Sequence, residues 1–312
     1  MSILLADVGG TNTRLARLTP QGQVTGVARF ANDDFAGFQA VLQQYDPHGI
    51  RACLIAIAGP VTASRARLTN RDWSFDRDGI ARTLGLSGAG QVLLLNDLAA
   101  LGHALGGLRP DQWCDMRVPD ARVPGNGQAL VMGLGTGFNV ALVKRTGQGA
   151  QVIEAELGHA GPSYAVVQTL MQDWGPAAMR FQTNESIFSG QGLSQLHQLT
   201  SGGALRDGAE ILAAYDHDPE AAQTVCRVAD LLGLLTRDLI LTYLPFDGIY
   251  LAGAVARGLL GSPAQRQFLT RLSAPGRLDD HSAAVPIRLI ADDAAALGGL
   301  AQVARASFMG AL

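Results

Sequence analysis

The sequence predicts an α/β fold of two domains, with mixed sheets and a cleft between the domains. A glycine-threonine turn lies between apolar runs at residues 9–11, and a similar turn between apolar runs lies at 135–137. Each turn is followed further along the chain by apolar runs without alternation, which are typical of strands buried on both faces. The length of 312 residues suits two domains better than one.

The first half is predicted to begin with antiparallel strands and to continue with a parallel core. In chain order we expect three strands within 3–29, a helix near 35–45, a strand at 53–58, a helix at about 76–85, a strand at 92–95 and a helix ending near 105. Because residues 106–110 break the periodicity, a domain boundary is placed near residue 108.

The second half repeats this pattern with more helices. In chain order we expect a loop at 123–127, a hairpin at 131–143, a strand near 151–153, a chiefly helical stretch at 166–243, strands at 249–252 and 286–290, and a closing helix at about 294–307. The closing helix is expected to return to the first domain. The predicted domains are therefore a small one, residues 1–108 joined by 299–312, and a large one, residues 109–298.

Composition limits the function classes. A net charge of −3 and a pI near 6.0 provide no basic face for nucleic acid and no polybasic patch for a membrane surface, so a small-molecule partner is favoured. The three cysteines are scattered, which fits reduced thiols in a cytosol. No basic leader and no apolar run near about 18 residues is present, so we expect a cytoplasmic protein.

The two glycine turns are candidate phosphate-binding sites. Glycine allows consecutive N–H groups to converge on an anion, and threonine adds a hydroxyl donor. Asp7 ends the first strand, where a phosphate-bound Mg²⁺ would need an oxygen ligand or a water held by one. Ordinary glycine hairpins are the alternative for either turn alone. The residues assigned to nucleotide binding are Gly9, Gly10, Thr11 and Asn12 in the first turn and Gly135, Thr136 and Gly137 in the second.

Asp97 is the candidate general base. It follows Asn96 at the carboxyl end of a buried strand and at the start of a helix, where α/β sheets expose ligand-binding groups. Phosphorylation of an alcohol needs a base to accept the hydroxyl proton, and an aspartate at a strand end suits this role. The alternative is that Asp97 only caps the helix, since Asn and Asp are favoured at that position.

Further polar residues are candidates for sugar binding. Glu156 and His159 lie in one loop, which could form hydrogen bonds with sugar hydroxyls. The alternative for His159 is a structural role, which is the more common one for a lone histidine. Glu185 could equally start a helix as a favourable first-turn charge. Asn70 lies near Trp73, and such a polar and aromatic pair is common where a protein contacts both the polar edge and the apolar face of a sugar. The alternative is that Asn70 belongs to an ordinary turn.

Taken in order, these motifs resemble the bacterial glucokinase family, within the superfamily of sugar kinases, actin and heat-shock chaperone ATPases. The resemblance covers nearly the whole chain. Its segments are Asp7-Val8-Gly9-Gly10-Thr11-Asn12, Ala56-Ile57-Ala58-Gly59-Pro60, Leu68-Thr69-Asn70-Arg71-Asp72-Trp73, Asn96-Asp97, Gly135-Thr136-Gly137, Glu156-Leu157-Gly158-His159, Glu185 with Ser189-Gly190-Gln191-Gly192-Leu193, and Leu251-Ala252-Gly253-Ala254.

The resemblance implies a two-domain actin-like ATPase (ribonuclease H-like) fold and ATP-dependent phosphorylation of the 6-hydroxyl of D-glucose, giving glucose 6-phosphate. It implies that Asp97 is the general base, that Asp7 lies near Mg²⁺ and holds it through water, and that Gly253 lies by the adenosine. The residues implied to hold sugar hydroxyls are Asn96, Glu156, His159 and Glu185. Family members are commonly cytoplasmic homodimers, so a homodimer that binds ATP and a sugar is expected.

The sequence departs from the family pattern at a few positions. Asn139 and Leu157 stand where the family usually has glycine, and Leu157 places a bulky residue in the sugar loop. The preferred hexose is therefore left open between glucose and another hexose such as mannose, fructose or an amino sugar. A sugar-sensing regulator without useful catalysis and a filament-forming or chaperone ATPase are alternatives of other classes.

Overall fold

The computed structural model describes residues 1–45, 47–119, 123–147, 149–276 and 278–310. Its contacts group the chain into two compact units, Met1–Arg109 with Asp292–Leu312 as unit 1, and Pro110–Ala291 as unit 2. The chain returns to unit 1 at Asp292, before the closing helix. The sequence interpretation places this boundary between residues 298 and 299, within that helix. Residues 311 and 312 of the predicted 299–312 segment lie outside the described residues, and the cleft stays a prediction.

Both units combine strands and helices. The strands are β1 (Ser2–Val8), β2 (Asn12–Leu18), β3 (Val24–Ala31), β4 (Ile50–Ile57), β5 (Arg65–Arg67), β6 (Ser74–Asp76), β7 (Val92–Asn96), β8 (Trp113–Arg117), β9 (Gln128–Leu134), β10 (Phe138–Thr146), β11 (Gly149–Glu154), β12 (Gly248–Ala252) and β13 (Ile287–Ile290). The helices are α1 (Phe38–Tyr45), α2 (Arg77–Thr83), α3 (Asp97–Ala104), α4 (Tyr164–Trp174), α5 (Glu185–Phe188), α6 (Gly190–Ser201), α7 (Gly208–Ala213), α8 (Pro219–Tyr243), α9 (Ala254–Leu260), α10 (Gln265–Leu272), α11 (Asp279–Ala283) and α12 (Ala295–Ala304).

The main sheets of the two units repeat one topology. In unit 1 the strand order is β3-β2-β1-β4-β7, and in unit 2 it is β11-β10-β9-β12-β13, with β8 added at the edge. In each sheet the first two pairs are antiparallel and the next two are parallel. The strand orders therefore show an internal repeat, in which each copy contains one of the two glycine turns, and both sheets are mixed as predicted.

The central strand β4 shows why the sheet of unit 1 is covered on both faces. Its residues Cys53, Ile55 and Ile57 pack into a cluster with α1 and α2, while the intervening Ala52, Leu54 and Ala56 pack with α12 and with Ala100 of α3. A strand with apolar residues on both faces shows no alternation of polarity, and this produces the continuous run in the sequence.

The closing helix packs closely on α3. Gly299 of α12 is buried, and a Cβ there would overlap the carbonyl oxygen of Ala100. The neighbouring Gly298 is exposed, with open space around its Cβ position. Since α3 begins with Asp97, the contact between α12 and α3 supports the helix that carries the candidate base.

We expect opposite stability effects from the two adjacent glycines of α12. Gly299→Ala should lower the free energy of unfolding by about 1–3 kcal/mol, because the added methyl forces the two helices apart. Gly298→Ala should raise it by up to about 1 kcal/mol, because alanine has the higher helix propensity. Urea unfolding of both variants measures this. Equal shifts for the pair would contradict the described packing.

In unit 2 the helices pack against one large apolar cluster. Strands β9 and β12 supply buried residues such as Leu130 and Leu251, and the long helix α8 lies against them. Helix α8 begins with Pro219 after the cap residue Asp218, whose side chain accepts hydrogen bonds from two backbone N–H groups. It ends at Leu244, which has a φ of 44°.

The structure adds elements that the sequence interpretation lacked. Strand β8 lies between the break at 106–110 and the loop at 123–127, where no element was predicted, and the short hairpin β5–β6 was not predicted. Helix α1 begins at Phe38, three residues after the predicted position, because a 3-10 turn at Asn32–Asp34 precedes it. Among the described residues, no helix has both the length and the apolar composition needed to cross a membrane.

Candidate active site

The first glycine turn has its carbonyl groups bonded to the protein. The N–H of Gly9 donates to the carbonyl of Asn12 at 2.9 Å, and the N–H of Asn32 donates to the carbonyl of Thr11 at 2.9 Å. The side-chain amide of Asn32 donates to the carbonyls of Gly9 at 2.8 Å and Gly10 at 3.3 Å. Within the described residues, the N–H groups of Gly10 and Thr11 have no protein acceptor. The turn therefore presents donors to a ligand.

Sequence reasoning missed two residues that shape this turn. Asn32, at the end of β3, is fully buried and also accepts a hydrogen bond from the Thr13 hydroxyl at 2.8 Å. Arg71 donates through Nε to the carbonyl of Gly10 at 3.2 Å. Both lie far from the turn in sequence, so only tertiary structure reveals the contacts. Asn12, assigned to the nucleotide, uses its Oδ1 to accept from Arg29 at 3.1 Å.

Asp7 lies beside the first turn and is almost fully buried, with 8% of its surface exposed. Its Oδ2 is 3.3 Å from Nη1 of Arg14, the residue of β2 that pairs with it, and Nη2 of Arg14 is 3.5 Å from Oδ2 of Asp293. Burial raises the pKa of Asp7 to about 6, while the Arg14 charge lowers the pKa and Asp293 raises it. Asp7 is therefore mainly ionised at neutral pH.

This raised pKa predicts a pH-dependent gain in stability for Asp7→Asn. Because the pKa is about 6 in the folded protein and 3.8 as the ordinary value, the favourable contribution of the protonated group is complete below 3.8 and is lost as pH rises through 6. At pH 8 the variant should be more stable by about 1–3 kcal/mol. The difference should shrink towards pH 4.5 in thermal unfolding.

The matched control is Asp72→Asn, since the Asp72 side chain is 95% exposed. This control should change the unfolding temperature little at any pH. A variant Asp7→Asn that is less stable than the natural chain at pH 8 would show that the contact with Arg14 outweighs the burial of the charge.

The strand end at β7 places Asn96 and Asp97 in different roles. Asn96 is the N-cap of α3, and its Oδ1 accepts from the N–H groups of Leu98 at 3.0 Å and Ala99 at 3.3 Å. Its Nδ2 donates to the carbonyl of Gly59 at 3.3 Å. Asp97 is the first helical residue, and its Oδ1 also accepts from the Leu98 N–H, at 2.9 Å. The capping alternative therefore applies to Asn96 rather than to Asp97.

Asn70 lies in the turn of the β5–β6 hairpin and is exposed. The next-door Thr69 donates its N–H to the carbonyl of Ala58 at 3.2 Å, directly after β4. A Cβ at Gly59 would overlap the carbonyl of Arg67, so glycine permits this close approach of the hairpin. The structure thus brings Asn70 to the same carboxyl edge of the sheet as Asp97.

The second glycine turn is arranged like the first. The N–H of Gly135 donates to the carbonyl of Gly137 at 2.9 Å, and the N–H of Gly190 donates to the carbonyl of Gly135 at 2.9 Å. For Thr136 and Gly137, no protein acceptor of their N–H groups exists in the part of the chain that the structure describes. Thr136 is exposed, as Thr11 is in the first turn.

Gly253 lies against the second turn. It precedes α9 with a φ of 101°, a conformation that other residues rarely adopt. A Cβ at this position would overlap the carbonyl oxygen of Leu134, and it would lie 3.3 Å from the nitrogen of Gly135. The turn between β12 and α9 is therefore adjacent to the candidate phosphate site of unit 2.

The candidate sugar residues of unit 2 are held by the strand that leaves this turn. Oε2 of Glu185 accepts from the N–H of Phe138 at 3.0 Å. Oε2 of Glu156 accepts from the side-chain amide of Asn139 at 3.1 Å. A Cβ at Gly158 would overlap the carbonyl of Phe138, so the loop packs directly on the strand. The structure brings Glu156 and Glu185 to consecutive residues of β10.

Leu157 and His159 lie in a 3-10 turn at Leu157–His159. The Leu157 side chain is partly buried and packs against the apolar cluster of unit 2. Glu156 and His159 are exposed on either side of it. The bulky residue expected to intrude on the sugar loop therefore contributes to the core.

Comparison with known proteins identifies the family. The family model described as Glucokinase matches residues 4–307. The chain belongs to the glucokinase family. One relative, the glucokinase of Chromobacterium violaceum, is 32% identical over 315 residues, which cover 96% of this chain and 88% of the relative. The chain is an ATP-dependent hexose kinase of this glucokinase family, which confirms the predicted reaction class.

Solved glucokinase structures have the same fold. The glucokinase from an Antarctic psychrotroph is 26% identical with a TM-score of 0.77, covering 97% of this chain and 98% of the other. A ROK family glucokinase from Streptomyces griseus, solved with glucose and AMPPNP, is 19% identical with a TM-score of 0.66, covering 98% of this chain and 100% of the other. These likenesses confirm the predicted actin-like ATPase fold.

Proposed function

We propose that the chain transfers the γ-phosphoryl group of ATP to the 6-hydroxyl of D-glucose, with Asp97 as the general base. The observation that carries the proposal is the family match over residues 4–307. The geometry of each unit supports it, since both glycine turns present unpaired N–H groups and the candidate acids lie at strand ends. Each unit would contribute part of the chemistry.

The base role of Asp97 follows from the chemistry of the transfer. As the phosphoryl group reaches the sugar oxygen, the hydroxyl proton must leave, and a carboxylate within hydrogen-bond distance can accept it. Asn96 supports the start of α3 through its capping hydrogen bonds, which fixes the backbone of the next residue. Asn96 and Asp97 would both contact the sugar, and Asn70 would do so from the β5–β6 turn.

In unit 2, Glu156, His159 and Glu185 would hold the remaining sugar hydroxyls. Carboxylates accept hydrogen bonds from hydroxyl groups, and an imidazole can donate or accept. The Glu185 carboxylate accepts a hydrogen bond from the N–H of Phe138 at 3.0 Å, so it is already oriented before the sugar binds. Such preorganisation lowers the entropy cost of binding.

The nucleotide would bind through the two turns. The N–H groups of Gly10, Thr11, Thr136 and Gly137 are the donors proposed for the phosphate oxygens, with the two threonine hydroxyls as further donors. Gly9, Asn12 and Gly135 shape the turns. Gly253 would lie by the adenosine, because it touches the turn of unit 2 from the end of β12.

Asp7 fits a role beside Mg²⁺. Among the described residues, no group of three or more histidines, cysteines or acids could hold a metal ion by itself. Mg²⁺ commonly keeps several waters and is bound through phosphates and one or two carboxylates, and Asp7 supplies one buried, mainly ionised carboxylate. Asp7 would hold the ion through water. When bound, Mg²⁺ would offset the negative charge of the phosphates.

We also propose a cytoplasmic homodimer. The cytoplasm supplies ATP, and Cys53, Cys114 and Cys226 are free thiols, which suits a reducing compartment. The dimer rests on the family resemblance alone. Light scattering in dilute solution tests it, and a monomer at micromolar concentration would contradict it.

A coupled assay with ATP and Mg²⁺ across hexoses tests the function. We expect the rate of ADP formation with glucose to exceed the rate of ATP hydrolysis without sugar. The rates with mannose, fructose and glucosamine should be lower than the rate with glucose. If another hexose were phosphorylated and glucose were not, the glucose assignment would fail while the hexose kinase class would stand. Sugar binding without any phosphorylation would favour the regulator instead.

A further inference from the structure

Asn139 connects the second glycine turn to the loop that carries Glu156. It is the second residue of β10, and its Nδ2 donates to the carbonyl of Ala155 at 2.6 Å and to Oε2 of Glu156 at 3.1 Å. Its Oδ1 accepts from the N–H of Leu157 at 3.0 Å and from the N–H of Val140 at 2.9 Å. One amide thus contacts three consecutive loop residues.

We propose that Asn139 is a positioning residue that orients the Glu156 carboxylate for sugar binding. This inference rests on the proposed function, in which Glu156 contacts a sugar hydroxyl. Glu156 is exposed, and an exposed glutamate samples several rotamers that it must give up on binding. The hydrogen bond from Asn139 to an ionised oxygen is charge-assisted, so it selects one rotamer before the sugar arrives.

The geometry leaves the other carboxylate oxygen for the ligand. Oε2 of Glu156 is used by Asn139, and Oε1 has no protein partner within the described residues. The donor lies on a β-strand whose preceding residue, Phe138, holds Glu185 through its N–H. Two consecutive strand residues therefore hold the two carboxylates, which sets the position of one relative to the other.

The loop has a second support that is independent of Asn139. The buried Asn184 donates through Nδ2 to the carbonyls of Leu157 at 2.9 Å and Ala160 at 3.1 Å. Loss of the Asn139 side chain therefore leaves the far end of the loop anchored. The expected consequence is a misdirected Glu156 in a folded protein.

The experiment compares Asn139→Asp with Asn139→Ala. The aspartate keeps the shape and an acceptor oxygen for the N–H groups of Leu157 and Val140, but it cannot donate and it places a charge beside Glu156. Both variants should raise KM for glucose by about 10- to 30-fold, with Asp at least as severe as Ala. The value of kcat should change less than about threefold, and KM for ATP should stay unchanged.

Asn126→Ala is the matched control. Asn126 also lies in unit 2 and makes two side-chain hydrogen bonds, to the carbonyl of Leu244 at 2.9 Å and from the N–H of Gln128 at 2.9 Å. It should lower the unfolding temperature without changing KM for glucose. An Asn139→Asp enzyme with natural KM for glucose, or with a raised KM for ATP instead, would overturn the inference.

A double-mutant cycle with Glu156→Ala separates this inference from the proposed function. In the Glu156→Ala background, Asn139→Ala should add less than about twofold to KM for glucose, because the residue it positions is gone. Full additivity would overturn the positioning role. If Glu156→Ala left KM unchanged, the proposed role of Glu156 would fail and the inference with it. If Glu156→Ala raised KM and Asn139→Asp did not, only the inference would fail.

Discussion

Asp97→Asn is expected to lower kcat for glucose phosphorylation by about 100- to 10,000-fold while glucose binding stays measurable. The amide retains the size of the side chain and an oxygen that can accept from the Leu98 N–H, which lies 2.9 Å from Oδ1. It has no basic group to accept the hydroxyl proton. Steady-state kinetics and calorimetric titration with glucose together measure the two effects.

The matched control is Asp78→Asn, which removes an exposed carboxylate from the first turn of α2 in the same unit. This control should retain nearly full kcat, so a general effect of first-turn charge on helix stability is excluded as the cause. Turnover by Asp97→Asn at the level of the control would remove Asp97 from its proposed role.

Gly253→Ala is expected to raise KM for ATP by at least about 10-fold and to destabilise unit 2. The φ of 101° costs alanine about 1–3 kcal/mol, and the added methyl overlaps the carbonyl of Leu134. Relief of that overlap must move the residues that lead into the Gly135–Gly137 turn. Kinetics at varied ATP and thermal unfolding measure the two consequences.

The control Gly202→Ala separates the effect of backbone strain from the effect of the overlap with the Leu134 carbonyl. Gly202 ends α6 with a φ of 66°, and nothing lies within 4 Å of its Cβ position. This control should lose stability through strain alone and keep its KM for ATP. If both glycine variants kept the natural KM for ATP, Gly253 would have no part in shaping the nucleotide site.

The sequence predicted those elements that are marked by a pattern within their own residues. The two glycine turns, the buried strand β4, the apolar strand β7 and the long helix α8 all carry their own periodicity or capping signals, although β7 lies at the sheet edge and only Val92 in it is buried. Strand β8 has no such signal, because Trp113–Arg117 mixes charged and apolar residues and pairs only at the edge with β13. Its stability comes from partners distant in sequence.

In the candidate site, too, the sequence revealed residues with a local signal and missed those whose role depends on distant contacts. Asp7, Asp97 and the two turns were found because each lies at the end of an apolar run. Asn32 and Asn139 were not assigned, since their roles arise from hydrogen bonds to residues of other elements. The assignment of the cap to Asn96 and not to Asp97 also required side-chain geometry.

The return of α12 to unit 1 has a consequence for biosynthesis. Residues 295–304 leave the ribosome after nearly all of the chain, yet they cover a face of the sheet formed by the earliest strands. Unit 2 is continuous in sequence and its segments emerge without that interruption. Part of the apolar face of the N-terminal sheet therefore stays uncovered until α12 has been synthesised, and exposed apolar surface of this kind favours aggregation.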